Sequence, residues 1–312
     1  DDDEPGRELD RDGALAAIRA ADWDAGGLLV IDLPTRLIPA RVTRDSVASV
    51  DITKVLASSD TRFSPYIVGR SKNVARAAEL LHGTILPPGG VMSFNEIVGA
   101  RTLERGFHLA PEIQADEMTS GVGGGTCQVS STLFSAAVFG ALTVVERKSH
   151  SQVSAYTKMG LDATVSYPSV DLKLQNPYAF PVMVSATIPE AGVLRVELLG
   201  GSPTASVSYQ YGVAKVEDFV RRITIKEHLK PGTKIRRQKG NRGYDVTSVV
   251  TIRWPGGRTE ERRYYSGYRP KPEVFWVAPG YDENELPPLP KHAKGVEGRI
   301  PGESIYGDIT TL

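Results

Sequence analysis

The chain has 312 residues, and its 37 basic and 37 acidic side chains give a formal net charge of zero. This balance excludes a global electrostatic attraction to nucleic acid or to an anionic membrane surface, and no apolar run reaches the roughly 18 to 20 residues of a membrane span. A single cysteine excludes an internal disulfide and a zinc site built from cysteines. With 40% hydrophobic residues, the chain can form two or three packed domains.

Residues 1–50 predict the closing part of a small α/β module. The segment DGALAAIRAAD at 12–22 has apolar residues at helical spacing, and the strand-like GGLLVIDLP follows at 26–34. The chain opens with the acidic DDDEPGRELD rather than with a signal peptide, so we expect any membrane anchor to lie outside this sequence.

Residues 51–202 predict a central domain of mixed α and β structure. A helix is expected over 69–83, with Ser71 as its N-cap and Gly83 as its stop. A second helix follows Cys127, and later runs rich in Val, Thr and Tyr predict antiparallel strands.

The rest of the chain predicts β structure and then an extended tail. Residues 203–280 alternate apolar and polar side chains between turn signals, which indicates a small all-β domain of hairpins. Residues 281–312 are rich in Pro and Gly and poor in apolar side chains. The predicted fold class is therefore α+β: a β-rich central domain with two or three helices, plus a small all-β C-terminal domain.

The lone cysteine lies in GVGGGTCQVSSTLF at 121–134, directly after glycines and at the expected start of a helix. Unpaired backbone N–H groups at a helix start stabilise a thiolate, and glycines let the backbone turn its N–H groups toward an acyl oxyanion. A phosphate loop would need a lysine after the glycines, and none is present. The pattern therefore indicates either a nucleophilic Cys127 or a small inert side chain in a tight turn.

A thiolate nucleophile needs a base, and the sequence offers several histidines. His150 lies 23 positions beyond Cys127, after an expected helix and strand, and Asp162 is the nearest carboxylate that could orient its ring. His108, on an expected strand, is an alternative base. The remaining histidines are His82 at a helix end, where no function is needed, and His228 and His292 in the β domain and tail.

Five segments occur in order: TRFS, NVARAAELLHGTILPPGGVMSFNEIVGARTLERGF, GVGGGTCQVSSTLFSAA, VERKSHSQVSAY and GLDATVSYPSVDLKLQN. Together they resemble the VanW family over roughly residues 51–200, and residues 8–50 resemble the end of a peptidoglycan-binding-like module. The resemblance implies an extracytoplasmic bacterial protein of the cell wall, from a family named for vancomycin-resistance gene clusters. It also implies L,D-transpeptidase activity, in which a cysteine passes an acyl group between peptidoglycan stem peptides without metal or cofactor.

Carried onto this sequence, the resemblance implies Cys127 as nucleophile, His150 as base and Asp162 as orienter. Backbone N–H groups near Gly125 and Thr126 would hold the oxyanion. Four further residues are predicted to contact substrate: Arg101, Arg147, Ser130 and Asn95. Ser130, with its neighbour Ser131, could instead bond to the preceding turn of the helix, and Asn95 could instead fix a turn. The two arginines could instead be solvated surface charges.

Three other functions compete with this hypothesis. In a non-catalytic wall-binding protein, the glycine-rich turn would bind a stem-peptide carboxylate through its N–H groups. A cysteine peptidase would use the same nucleophile on ordinary L,L bonds. Nucleic-acid binding through RRYYSGYR at 262–269 has basic and aromatic residues interleaved but no recognised fold around them, so we expect no nucleic-acid partner.

Overall fold

The computed structural model describes residues 6–21, 23, 29–38, 51–114, 117–202 and 204–301, and the chain divides into two compact units, 1–50 and 51–312. In the first unit, the strands β1 (Gly6–Leu9) and β2 (Thr35–Ile38) pair antiparallel, and α1 (Arg11–Ala20) lies between them in sequence. The helix predicted at 12–22 is present over its described part. The strand predicted at 26–34 is absent over 29–34, and residues 26–28 lie outside the described residues.

The helices of the second unit are α2 (Val68–Leu81), α3 (Phe94–Val98) and α4 (Thr126–Phe139), with short 3-10 turns at Leu103–Arg105 and Glu283–Glu285. The N-cap of α2 is Ile67 rather than the predicted Ser71, whose hydroxyl instead donates to the carbonyl of Ile67 inside the first turn. Gly83 follows the helix end with a left-handed φ of 81°, which accounts for glycine there.

The strands in the described part of the second unit form five sheets. A four-stranded antiparallel sheet has the order β3 (Lys54–Arg62), β11 (Val193–Gly200), β10 (Val182–Glu190), β4 (Thr84–Leu86). A three-stranded sheet has the order β5 (Val91–Ser93), β9 (Lys173–Gln175), β8 (Thr143–Glu146). The hairpin β6 (Leu109–Gln114) and β7 (Glu117–Val122) leads into α4.

Two sheets lie in the C-terminal part of the second unit. The first has the order β12 (Ser206–Glu217), β15 (Gly243–Arg253), β16 (Thr259–Tyr268), and we call it the C-terminal meander sheet. The second has the order β14 (Lys234–Gln238), β17 (Glu273–Val277), β13 (Phe219–Ile225), β18 (Ala293–Pro301). Strand β18 lies within the predicted tail and pairs parallel with β13.

The main hydrophobic core surrounds α4. Twelve of its fourteen residues are buried, because α2 and strands of the four-stranded sheet pack against it and leave almost no face in solvent. Val250 and Ile252 of the C-terminal meander sheet belong to the same core, and Tyr264 meets Phe134 edge to face at 5.8 Å. The meander sheet is therefore packed on the helix that carries Cys127.

The predicted α+β class is confirmed, with a β-rich fold and all-β C-terminal sheets. The longest helices in the described part of the chain have 14 residues, and none of those described is long and apolar enough to cross a membrane. The predicted boundary at 202/203 and the module assigned to residues 1–50 stay predictions.

Candidate active site

The glycine-rich turn between β7 and α4 requires its glycines. Gly123 and Gly125 have φ values of 94° and 109°, which side-chain-bearing residues rarely adopt. A Cβ on Gly124 would lie 2.6 Å from the carbonyl oxygen of Pro111. The turn therefore brings the chain into α4 along a path that only glycine permits, and it leaves Cys127 in the first helical turn.

Cys127 faces an irregular segment that runs past the start of α4. Its Sγ lies 3.4 Å from the carbonyl oxygen of Val165, 3.5 Å from the Val165 nitrogen and 3.6 Å from the Thr164 hydroxyl. The hydroxyl of Ser131 accepts a bond from the Ala163 N–H and also contacts the Ala163 carbonyl. This pairing holds the 163–165 segment against the helix, so the thiol is partly buried in a fixed position.

His150 lies between Cys127 and Asp162. Its Nδ1 is 2.8 Å from Oδ2 of Asp162, and its backbone N–H donates to the same oxygen at 2.7 Å. This pairing leaves Nε2 for the other side of the ring, and the imidazole acts electrostatically on the thiol of Cys127. The order thiol, imidazole, carboxylate is the arrangement of a nucleophile, its base and an orienting acid.

The pKa values of the thiol and the imidazole move in opposite directions. Burial raises the pKa of Cys127, but the imidazolium of His150, together with the bonds from the Val165 N–H and the Thr164 hydroxyl, outweighs it and lowers the thiol pKa from 9.0 to about 7. Burial likewise lowers the pKa of His150, but the bonds to Asp162 and Cys127 outweigh it and raise the value from 6.5 to about 9. Between these two values the pair is a thiolate beside an imidazolium.

Asp162 is buried and surrounded by donors. Arg147 donates from Nε to the Asp162 carbonyl at 2.7 Å and from Nη2 to Oδ1 at 3.2 Å, and the Tyr268 hydroxyl donates to Oδ1 at 2.5 Å. Burial alone would raise the Asp162 pKa, but the bond and charge of His150, followed by Arg147 and Tyr268, lower it. The carboxylate therefore stays ionised beside the imidazolium.

Two arginines flank the glycine-rich turn and act electrostatically on Cys127. Burial lowers the pKa of both Arg70 and Arg101, and the cysteine opposes this shift in both cases. Arg70 donates to Oε1 of Gln128 at 2.6 Å. Arg101 donates from Nη1 to Oδ1 of Asn95 at 2.8 Å, whereas its Nη2 is buried and has no partner in the described part of the chain.

Three of the predicted substrate contacts and the predicted oxyanion residue Thr126 have hydrogen-bond partners within the protein. Ser130 is fully buried and donates to the carbonyls of Cys127 and Ala163, and Arg147 is bound to Asp162. Asn95 is buried and bonds to Arg101. The Thr126 N–H donates to the Gly123 carbonyl at 3.1 Å, so this N–H is occupied. The polar groups of these residues already have partners within the protein, so these residues hold the neighbouring parts of the site in place.

The other candidate histidines lie outside the thiol–imidazole pair. The main chain of His108 contacts the glycine-rich turn, because its carbonyl accepts a bond from the Gly123 N–H. Its N–H and carbonyl also bond to the side chain of Asn73. The Nδ1 of His82 accepts a bond from the Ala186 N–H, which fits the structural role expected at a helix end.

Sequence reasoning missed several residues around the site. Tyr156 places its hydroxyl 3.3 Å from Nε2 of His150, and burial raises its pKa strongly. Only its position, six residues after His150 in the sequence, could have indicated that Tyr156 lies near the imidazole. Arg70, Thr164 and Val165 carried no local signal, and Tyr268 lies 106 positions from the carboxylate it contacts.

The comparisons with known proteins agree on the part of the chain that contains this site. A family model described as VanW like protein matches residues 69–199. The chain is 37% identical over 156 residues to the uncharacterized protein YoaR of Bacillus subtilis (strain 168), covering 50% of this chain and 51% of YoaR.

A second relative is the vancomycin B-type resistance protein VanW of Enterococcus faecalis (strain ATCC 700802 / V583). It is 26% identical over 127 residues, which cover 39% of this chain and 46% of that protein. The matched region thus spans about half the length of each relative. Residues 69–199, which carry Cys127, His150 and Asp162, are a VanW family domain.

Proposed function

We propose that this protein is a cysteine acyltransferase of the L,D-transpeptidase type that acts on peptidoglycan stem peptides. The observation that carries the proposal is the series Cys127, His150, Asp162, in which His150 is bonded to Asp162 and acts electrostatically on the thiol at the start of α4. A thiol with a pKa of about 7 beside a charged imidazole suits nucleophilic attack near neutral pH. The stem peptides lie outside the cytoplasm, so the proposal implies an extracytoplasmic protein of the cell wall.

In the first step, the Cys127 thiolate attacks the carbonyl carbon of an L,D-linked peptide bond in the donor stem. The oxyanion lies at the N-terminal turn of α4, where the Gly125 N–H and the positive end of the helix stabilise it. The imidazolium of His150 gives its proton to the leaving amine, the C–N bond breaks, and a D-amino acid departs. A thioester on Cys127 and a neutral imidazole remain.

In the second step, an acceptor stem supplies an amine. Neutral His150 removes a proton from this amine as it attacks the thioester carbonyl. The C–S bond breaks, the thiolate is restored beside the imidazolium, and a new amide links the two stems. Water in place of the amine would instead release a shortened stem, which is a carboxypeptidase reaction.

Arg101 is the residue we assign to a substrate carboxylate; Arg70 also contacts the glycine-rich turn. Each stem peptide carries carboxylates, and an arginine binds a carboxylate through paired charge-assisted bonds. The buried Nη2 of Arg101 without a partner among the described residues supports this assignment, because an unpaired buried donor is costly unless a ligand uses it. Asn95 holds the guanidinium by its other nitrogen.

The test is intact-protein mass spectrometry after incubation with purified tetrapeptide-stem muropeptides. Cys127 is the only cysteine in the chain, so a thioester adduct has one possible site. We expect an acyl adduct or a cross-linked product with the wild type, no adduct with Cys127→Ala, and strongly reduced formation with His150→Ala.

Each alternative function predicts a different result in the same experiment. Muropeptide binding without adduct or product would favour the non-catalytic wall-binding protein. Cleavage of an ordinary L,L peptide, dependent on Cys127 and without any reaction at L,D bonds, would favour the cysteine peptidase. Either result would overturn the transpeptidase proposal.

A further inference from the structure

The carboxylate of Asp162 is bonded by residues on two sides, and one of these residues lies outside the matched family domain of residues 69–199. On the domain side, His150 bonds to Oδ2. On the other side, the hydroxyl of Tyr268 donates to Oδ1 at 2.5 Å and accepts a bond from the Gly160 N–H at 2.7 Å. Tyr268 is 4% exposed and is the last residue of β16. Because its hydroxyl has both a donor and an acceptor partner, the position of Oδ1 is fixed.

The same strand also holds the second partner of Asp162. Arg147 donates from Nη1 to the Ser266 hydroxyl at 2.9 Å and to the Tyr265 carbonyl at 2.9 Å, while its Nε and Nη2 bond to Asp162. Its guanidinium lies 4.9 Å above the ring of Phe134 in α4. Arg147 therefore links the helix, the carboxylate and β16.

The loop before Asp162, at Met159 and Gly160, packs against β12 and β15, the other two strands of the C-terminal meander sheet. The hydroxyl of Tyr209 in β12 donates to the Met159 carbonyl at 2.9 Å and contacts the Ser248 hydroxyl of β15 at 2.8 Å. A Cβ on Gly160 would lie 2.1 Å from Oγ of Ser248. Only glycine permits this approach, so all three strands contribute to the position of the loop.

From these contacts we infer that the C-terminal meander sheet completes the active site, with Tyr268 as the positioning residue that directs Asp162 toward His150. The physical reason is the geometry of a carboxylate: a donor fixed on Oδ1 leaves Oδ2 as the oxygen that faces the imidazole. The RRYYSGYR segment, which the sequence suggested as a basic and aromatic surface, thus has Tyr268 turned inward against the site. The inference rests on the proposed function only in treating the thiol–imidazole pair as the reacting groups.

The experiment measures the thiol directly and needs no substrate. The full chain and its Tyr268→Phe variant are alkylated with iodoacetamide across a range of pH, and the rate at Cys127 is followed by intact mass. Loss of the Tyr268 hydroxyl loosens Asp162 and hence the imidazolium that stabilises the thiolate. We expect the midpoint of the rate profile to rise by about half a pH unit or more, which lowers the rate near pH 7 about twofold or more.

Tyr211→Phe is the matched control, because Tyr211 is in the same sheet and its side chain is 46% exposed. Its profile should coincide with that of the wild type. Ser266→Ala, which removes one partner of Arg147, provides a second variant and should shift the midpoint in the same direction. A rise with either Tyr268→Phe or Ser266→Ala, in protein with wild-type circular dichroism, supports the inference.

An unchanged midpoint in both folded variants would overturn the inference, since the sheet would then contribute only to packing. If both variants failed to fold, a role in catalytic positioning would be rejected in favour of a purely structural role. The assay is independent of the transpeptidase proposal. If Tyr268→Phe shifts the midpoint but the wild type is never acylated by muropeptides, the proposed reaction falls and the positioning role stays.

Discussion

Replacing His150 provides a direct test of the thiol–imidazole pair. His150→Gln keeps a side chain of similar size but removes the positive charge that lowers the thiol pKa from 9.0 to about 7. Burial, which opposes that lowering, remains in the variant. The bonds from Val165 and Thr164, which lower the thiol pKa, also remain, so we expect the Cys127 pKa to rise toward 9.0.

The size of the effect follows from two opposing factors. Near pH 7 about half of the wild-type thiol is ionised, against about one part in a hundred for a thiol of pKa 9.0, so the thiolate is about 50-fold scarcer in the variant. A thiolate of higher pKa is a stronger nucleophile, by about six- to tenfold for this difference. Reaction with an aromatic disulfide should thus be about five- to eightfold slower near pH 7. Near pH 10 the two rates should converge, because His150 of the wild type has then lost the positive charge that the variant lacks.

The assay is the rate of this disulfide exchange, followed by absorbance over the range from about pH 5 to about pH 11. The diagnostic result is a variant that reacts more slowly near pH 7 and reaches the wild-type rate near pH 10. His108→Gln is the control, because His108 contacts the glycine-rich turn through its main chain, and its profile should match the wild type. A His150→Gln profile with the wild-type midpoint would refute the pairing and assign thiolate stabilisation to the helix terminus and the neighbouring arginines.

Transfer to an acceptor amine should follow a bell-shaped pH profile in kcat/KM: activity falls below about 7, where Cys127 gains a proton, and above about 9, where His150 loses one. A rate that keeps rising beyond pH 10 would contradict the charged pair. Asp162→Ala should lower the free energy of unfolding, measured in urea, by about 3 to 5 kcal/mol, because it removes the carboxylate that neutralises the buried positive charge of Arg147. Asp60→Ala breaks an exposed pair with Arg195 and should cost at most about 1 kcal/mol; equal losses would refute the burial reasoning. Gly125→Ala should lower the free energy of unfolding by about 1 to 3 kcal/mol and remove most transfer activity, since φ at this position is 109° and the added Cβ would lie 3.1 Å from Arg70. An unchanged thermal melt and an unchanged transfer rate would show that the turn adapts to alanine.

The sequence by itself determined the local features of the site. Glycine is the residue that adopts positive φ without strain, so the run before Cys127 already indicated a tight turn into a helix. The apolar spacing of α2 and α4 and the alternation in the C-terminal strands are patterns over residues two to four positions apart. Because such patterns are visible in the sequence, these elements could be predicted from it. Cys127, His150 and Asp162 could be selected because few residues of their types lie in that region.

Only the tertiary structure decided which polar groups meet. Ser130, Asn95 and Arg147 were plausible substrate contacts from their residue types alone, but whether a side chain faces a ligand or another part of the protein depends on packing between distant segments. Tyr268 reaches Asp162 because β16 packs beside α4, and no periodicity in either segment encodes that contact. Long-range contacts of this kind arise from the burial of shared core surface, which brings together residues whose local sequences are independent.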